Sequence, residues 1–221
     1  MSDTDKRPYD TGAPSDDTTA ACSVASRRWT LVAAVLGSSL AFMDGTVVNV
    51  ALPAIQRDLN AVVSDAQWVM ESYALLLSAL LLVGGALGDR FGRRRVFVMG
   101  ISLFAISSLG CALSGSVLQL ILARAVQGVA AALLVPGSLA LVSSAYPVAE
   151  RGAAIGTWSA FSGITAAIGP VVGGFLVEHY SWKWAFLLNL PISVLLLIIC
   201  AMKVPESLNQ KNHSPVDVRG A

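Results

Sequence analysis

Charge is what this sequence has least of. Only 13% of its 221 residues are Asp, Glu, Lys or Arg, about half the share usual in a soluble domain. Histidine is nearly missing too: His179 and His213 are the whole supply, too few imidazoles for a zinc or haem site. The three cysteines, Cys22, Cys111 and Cys200, are an odd number and far apart. They suit small packing residues better than a disulfide framework or a thiolate metal site. The chain has no G-x-x-x-x-G-K-[ST] loop to cradle a nucleotide phosphate, no G-x-S-x-G elbow and no H-E-x-x-H pair. Nothing therefore points to ATP as an energy source, to enzyme catalysis or to a bound cofactor. A net charge of +1 gives no reason to expect nucleic acid as a partner.

What the chain has instead is apolar length. Its residues are 55% hydrophobic and its mean hydropathy is +0.67. Six uncharged or nearly uncharged runs stand out, at approximately 30–51, 67–88, 96–114, 117–144, 152–177 and 184–202. A bilayer core about 30 Å thick needs about 20 helical residues to cross, and in lipid each backbone N–H and C=O has to be satisfied within its own segment. The runs do not alternate as barrel strands would. The expected fold is therefore all-α, a polytopic bundle of six transmembrane helices over 29–203. The first residues are polar and include Asp3, Asp5, Asp10, Asp16 and Asp17, which is unlike a signal peptide. Residues 1–28 read as a disordered tail, and 204–221 as a second tail.

The few charges are unevenly distributed. Twelve of the fifteen Lys and Arg fall on one side of the bundle: Lys6, Arg7, Arg27 and Arg28, then Arg90, Arg93, Arg94 and Arg95, then Arg151, and finally Lys203, Lys211 and Arg219. Arg57 and Lys183 lie on the other side, and Arg124 lies inside a run. The positive-inside rule places both termini in the cytoplasm of a multi-pass protein of the cell membrane. Trp29, Trp68, Trp182 and Trp184 sit near run ends, where indoles favour the interface.

Three ionisable residues fall within runs: Asp44, Glu71 and Arg124. A charge at mid-membrane costs about 2.5–3.5 kcal/mol on insertion scales, so each is a candidate functional residue. Counting along the helices puts Asp44 and Arg124 both roughly 10 Å below the outer surface. Glu71 lies somewhat shallower, and all three can line one outward cavity. Between the second and third runs, "GGALGDRFGRRRVFVMG" packs Asp89 and four arginines into a short hinge. Scattered cations would suffice to anchor topology; they would not require Gly85, Asp89 and Gly92 at fixed offsets.

That hinge, Gly85-x-Leu87-x-Asp89-Arg90-x-Gly92-Arg93-Arg94-Arg95, resembles the loop between helices two and three of the major facilitator superfamily. "FMDGTVVNVALP" (42–53) and "LARAVQGVAAALLVPGSLALV" (122–142) resemble the first- and fourth-helix motifs of its fourteen-helix drug:proton antiporter family. "GPVVGG" (169–174) is similar to the antiporter motif of helix five, and "WKWAFLLNLPI" (182–192) to the start of helix six. The helix-five motif resembles the family's at Gly156, Gly169, Pro170, Gly173 and Gly174, with Thr165 where a glycine is expected. Glu71 stands where members of the family usually carry an uncharged residue.

The resemblance implies an N-terminal bundle of two inverted three-helix repeats, in which helices one and four face a central pathway. It implies a secondary active transporter that exports lipophilic or cationic drugs, with protons as the coupling ion. The partners it implies are the bilayer, a small substrate and a second half, and "SPVDVRGA" (214–221) looks like the run-in to a seventh helix. Two rivals stand beside this: an uptake or metabolite transporter of the same fold, and a truncated, non-transporting membrane subunit. At residue level, Asp44, tuned by Arg124, would exchange protons, or the two would form a structural ion pair. Glu71 would join the coupling or simply snorkel to the interface. Asp89 would latch the cytoplasmic side against a helix N-terminus, with Arg151 as a possible partner, or the hinge would only anchor topology. Asn49, Tyr73, Gln127 and Asn189 would offer hydrogen bonds to a substrate or to neighbouring helices.

Overall fold

A computed structural model describes residues 24–206, with side chains from Ser26 onward. What was expected of 1–23 and 207–221 lies outside the described residues. The chain is helical at once: α1 runs Val24–Leu59, α2 Val63–Phe91, α3 Arg93–Ala112, α4 Val117–Ala145, α5 Val148–His179, α6 Lys183–Leu187 and α7 Asn189–Lys203. Residues 24–28, expected in the tail, therefore belong to α1. Six segments are long and apolar enough to cross a membrane, the last being α6 and α7 together over Lys183–Lys203. The runs at 30–51, 67–88 and 152–177 are the middles of longer helices, because flanking polar residues continue the hydrogen-bonded spiral. The third run outlasts α3, which ends at Ala112, and the sixth is broken at Leu188. At 1.5 Å per residue, the 36 residues of α1 span about 54 Å.

Local chemistry sets the ends. Asn60 takes φ 50° and stops α1. Gly92 takes φ 100°, open to glycine at no steric cost, and so separates α2 from α3 by a single residue. The Ser116 hydroxyl accepts from the Gln119 N–H to start α4, as an N-cap residue does. Pro191 lacks the N–H that would bond the Leu187 carbonyl, and the sixth span is interrupted there, at Leu188.

The dominant packing pairs are α2 with α4, α1 with α5, and α3 with α4. Small residues permit it. A Cβ on Gly128 would lie 2.5 Å from the Tyr73 carbonyl oxygen, and one on Gly84 would strike the Ala132 carbonyl, so α2 and α4 meet backbone to backbone. Gly169 and Gly173 press in the same way on Thr46 and Val47 of α1. The buried apolar residues form two main clusters. One gathers Leu40, Phe97, Ile101, Phe104, Leu134, Leu141 and Leu196; the other gathers Val47, Val48, Ile55, Val69, Leu120, Trp182 and Phe186. Along α1, α3, α4 and α7, a polar residue sits at the seam between them: Asp44, Ser108, Arg124 with Gln127, and Asn189, all buried.

Candidate functional site

Position on the helices assembles that seam. Arg124 and Gln127 are three residues apart on α4 and share a face. Arg124 is 0% exposed and Asp44 1% exposed, and the Arg124 Nη1 donates to Asp44 Oδ2 in a fully buried ion pair. The same Nη1 donates to Gln127 Oε1 at 2.8 Å, and Nε donates to the Val69 carbonyl of α2 at 3.2 Å. Nη2 has no hydrogen-bond partner. The guanidinium lies 4.2 Å from the centre of the Tyr73 ring and 5.9 Å from that of Phe186, which adds cation–π attraction in a dry setting. Tyr73 is held in turn by its hydroxyl, which donates to the Ala41 carbonyl at 2.9 Å.

The second carboxylate oxygen has different company. Asp44 Oδ1 accepts from Gln127 Nε2 at 2.9 Å and from Asn189 Nδ2 at 2.8 Å. Both amides also donate to the Ser108 hydroxyl, at 2.9 and 3.2 Å. The Cys111 thiol reaches Gln127 Oε1 at 3.6 Å. The Asp44 carboxyl therefore accepts from three donors. Five of the six spans thus converge on one buried charge pair. Among the described residues, no three His, Cys, Asp or Glu side chains gather into a metal-binding group.

The sequence put Asp44 and Arg124 at one height, and the structure brings them together with Gln127 and Tyr73 beside them, but the expected open cavity needs correcting. Asp44, Arg124, Tyr73 and Gln127 are sealed within the bundle, and all of their polar atoms named above except Arg124 Nη2 are held by hydrogen bonds inside it. Glu71 does not join them. It is exposed on α2, on the side that carries Trp68, Leu75 and Leu82. Asn49 is exposed and donates to the Gly45 carbonyl of its own helix at 2.9 Å. A cavity of about 250 Å³ lies elsewhere, between α1 and α5, and is lined by Phe42, Trp158, Ser159, Ser162, Gly163 and Ala166. Ser108 went unnoticed in the sequence and Cys111 was read only as a packing residue, since small residues in an apolar run look like packing.

At the hinge, Asp89 accepts from Arg93 at 3.0 Å. Arg151 is not its partner: Arg151 Nε points to the Tyr146 carbonyl at 3.4 Å. The other hinge arginines reach across the bundle. Arg93 Nη1 donates to the Ala140 carbonyl of α4 at 3.1 Å, Arg94 Nε to the Cys200 carbonyl of α7 at 3.0 Å, and Arg95 pairs with Glu206 at 3.6 Å. Arg90 lies over the Phe91 ring at 5.4 Å, and a Cβ on Gly85 would meet Pro136 at ordinary contact distance. On α5, Gly169 and Gly173 are required by the approach of α1, Gly174 touches Val50 loosely and Gly156 faces open space. Pro170 is exposed within the helix. Thr165, in place of a glycine, hydrogen-bonds Ser39 of α1 at 3.0 Å.

The chain is similar to known proteins. The model of the Major Facilitator Superfamily matches residues 34–217. The tetracenomycin C resistance and export protein of Streptomyces glaucescens is 37% identical over 203 residues, which cover 91% of this chain and 38% of that protein. The puromycin resistance protein pur8 of Streptomyces alboniger is 44% identical over 177 residues, 80% of this chain and 35% of that one. Among solved structures, the peptide transporter POT with bound sulfate superposes with a TM-score of 0.69 at 20% identity, over 78% of this chain and 36% of that chain. The last likeness concerns the fold alone. The chain spans less than half the length of the relatives it matches.

Proposed function

Because the chain belongs to the Major Facilitator Superfamily, we propose that it works in a secondary active transporter exporting lipophilic or cationic compounds, antibiotics among them, in exchange for protons. Similarity to a tetracenomycin C export protein and a puromycin resistance protein supports the substrate class and the direction. The excess of Lys and Arg at one end of the bundle supports a cell-membrane protein with both termini in the cytoplasm. The proposed partners are the bilayer, the small substrate and a second helical bundle. The stripe Phe161, Ile164, Ile168, Val171 and Phe175 on α5 is exposed and offers that bundle an apolar face.

One observation carries the coupling: the sealed pair of Asp44 and Arg124. Removal from water favours a neutral acid, whereas a guanidinium and hydrogen-bond donors favour the carboxylate. In this mechanism Asp44 takes up a proton from outside, which loosens its pairing with Arg124. A substrate entering beside α1 and α4 from the cytoplasm restores that pairing and drives the proton off into the cytoplasm, so substrate and proton cross in opposite directions. Protons are the only coupling agent the scheme needs. Glu71, exposed on α2, stands outside this pair and meets the substrate or the second bundle instead. Asp89, paired with Arg93 within the hinge, latches the cytoplasmic ends of the helices.

Transport in vesicles tests this. D44N in the transporter is expected to abolish efflux driven by a proton gradient while leaving the protein in the membrane. Efflux that continues at the native rate sinks the proton role. Movement of substrate inward with protons would favour uptake, and a native protein that moves nothing would favour a non-transporting subunit.

A further inference from the structure

Two amides hold Asp44 Oδ1, and they are not equivalent. The Gln127 amide is pinned at both ends: its nitrogen donates to Asp44 and Ser108, and its oxygen accepts from Arg124 at 2.8 Å and from the Cys111 thiol. Turning it over would break its bond with the guanidinium. Asn189 is 2% exposed, yet both of its side-chain bonds run through the nitrogen, to Asp44 at 2.8 Å and to Ser108 at 3.2 Å. No described residue holds its oxygen. Ser108 likewise accepts two bonds through its oxygen, and its hydroxyl proton has no acceptor among the described residues.

An arriving proton meets an asymmetric carboxyl. Oδ2 faces the guanidinium, which only donates, so Oδ1 is the oxygen left to take the proton. Once Oδ1–H exists, it needs an acceptor. We propose that Asn189, backed by Ser108, is a positioning residue that sets the proton affinity of Asp44 by turning its amide over with each change of protonation. With the carboxylate ionised, the Asn189 nitrogen donates to Oδ1 and to Ser108, as in the structure. With the acid neutral, the Asn189 oxygen occupies the same place and accepts from Oδ1–H and from the Ser108 hydroxyl. A hydroxyl can do either, because it both donates and accepts. The proton moves from water to Oδ1 and back, and no other bond is made or broken covalently. Asn189 also opens α7 directly after the break at Leu188, where the amide is not fixed by a long preceding run of helix.

This assignment rests on the proposed proton role of Asp44, and its test is separable from transport. Arg124 from α4, Tyr73 from α2 and Cys111 from α3 are the ionisable groups facing Asp44; among the described residues, α5, α6 and α7 bring none to it. All three stay in place in the variants. The measurement is an infrared titration of the 221-residue chain in lipid, with D44N used to identify the Asp44 carboxyl band. Hydrogen bonds to a charged group are roughly twice as strong as those to a neutral one, so losing Asn189 disfavours the carboxylate more than the acid. N189L is expected to raise the midpoint by about one pH unit, about ten-fold in proton affinity, and S108A to raise it by less. The second variant, small in place of small, guards against N189L failing to fold. A midpoint unchanged in whichever variants fold, or a carboxyl that stays ionised in native and variant alike, overturns the proposal. A shifted midpoint without any proton-driven transport would leave Asn189 in its role and sink the transport reading.

Discussion

Arginine appears in two settings in this molecule. Arg124 is sealed between two apolar clusters, and its guanidinium faces a carboxylate, an amide, a carbonyl and two aromatic rings. Arg93, Arg94 and Arg95 sit at one edge of the bundle and reach mostly for backbone carbonyls at the ends of α4 and α7, where the helix dipole is negative. The same functional group is indispensable in one place and replaceable in the other. The difference lies in what each would leave behind. Water can solvate a freed carbonyl at the membrane edge, but Asp44 without its counter-ion keeps only the amides of Gln127 and Asn189 in a dry interior.

The largest expected effect tests that claim directly. R124L strands a buried carboxylate, a loss of about 3–5 kcal/mol for a broken buried pair, read as a lowered unfolding midpoint in detergent. The double variant D44N/R124L removes both charges and is expected to recover more than half of that loss. If the double variant is as unstable as the sum of the two single ones, the cost belongs to packing and the contrast between the two settings fails.

The next effect asks whether the sealed pair depends on the backbone around it. In G128V, a side chain would collide with the Tyr73 carbonyl, which stands 2.5 Å from the place of a Cβ, and would push α2 off α4. Overpacking of this kind costs about 1–3 kcal/mol. It also withdraws the Val69 carbonyl and the Tyr73 ring from Arg124, so G128V is expected to impair proton-driven efflux beyond its effect on the amount of protein in the membrane. G156V, facing open space, is the matched control and is expected to leave stability unchanged.

The contrast between pair and hinge also explains what could be read from the sequence. Six spans were legible because apolar length in lipid has few solutions. Asp44 and Arg124 were legible because a charge inside such a span is conspicuous and helical rise fixes its height. Their sealed state was not, since burial depends on Gly128 and Gly84 drawing α2 onto α4, a contact between distant segments. Ser108 was invisible for the opposite reason: a serine is small and mild enough to pass for packing in an apolar helix. Asn189 was visible as a polar residue, but only α3 and α1 in space distinguish a substrate ligand from a partner of Asp44. The break at Leu188 could have been inferred from Pro191, whereas the pairing of Asp89 with Arg93 rather than Arg151 follows from Gly92 turning the chain within one residue.

At the hinge the expected losses are smaller. R94A frees the Cys200 and Ala201 carbonyls of α7, bonds of a partly buried side chain worth roughly 0.5–1.5 kcal/mol together. The consequence is local, so it is sought as faster amide hydrogen exchange at the end of α7 over 199–203, with the exchange of α2 and α4 unchanged. Equal acceleration throughout the bundle would mean that the hinge governs global stability and that the two settings differ less than argued.

The smallest effect comes from Arg95, whose side chain is 69% exposed and 3.6 Å from Glu206. An ion pair so placed contributes about 0–1 kcal/mol, because water competes for both charges and salt screens them over about 8 Å. R95Q is therefore expected to leave the unfolding midpoint within error of the native protein at high salt, and to lower it slightly at low salt. It also removes one cation from the positively charged end without altering orientation, since the neighbouring arginines remain. If R95Q cost as much as R94A, and cost it independently of salt, then exposure would not be what separates a replaceable arginine from an indispensable one. The explanation would have to be sought in the fixed geometry of the hinge itself.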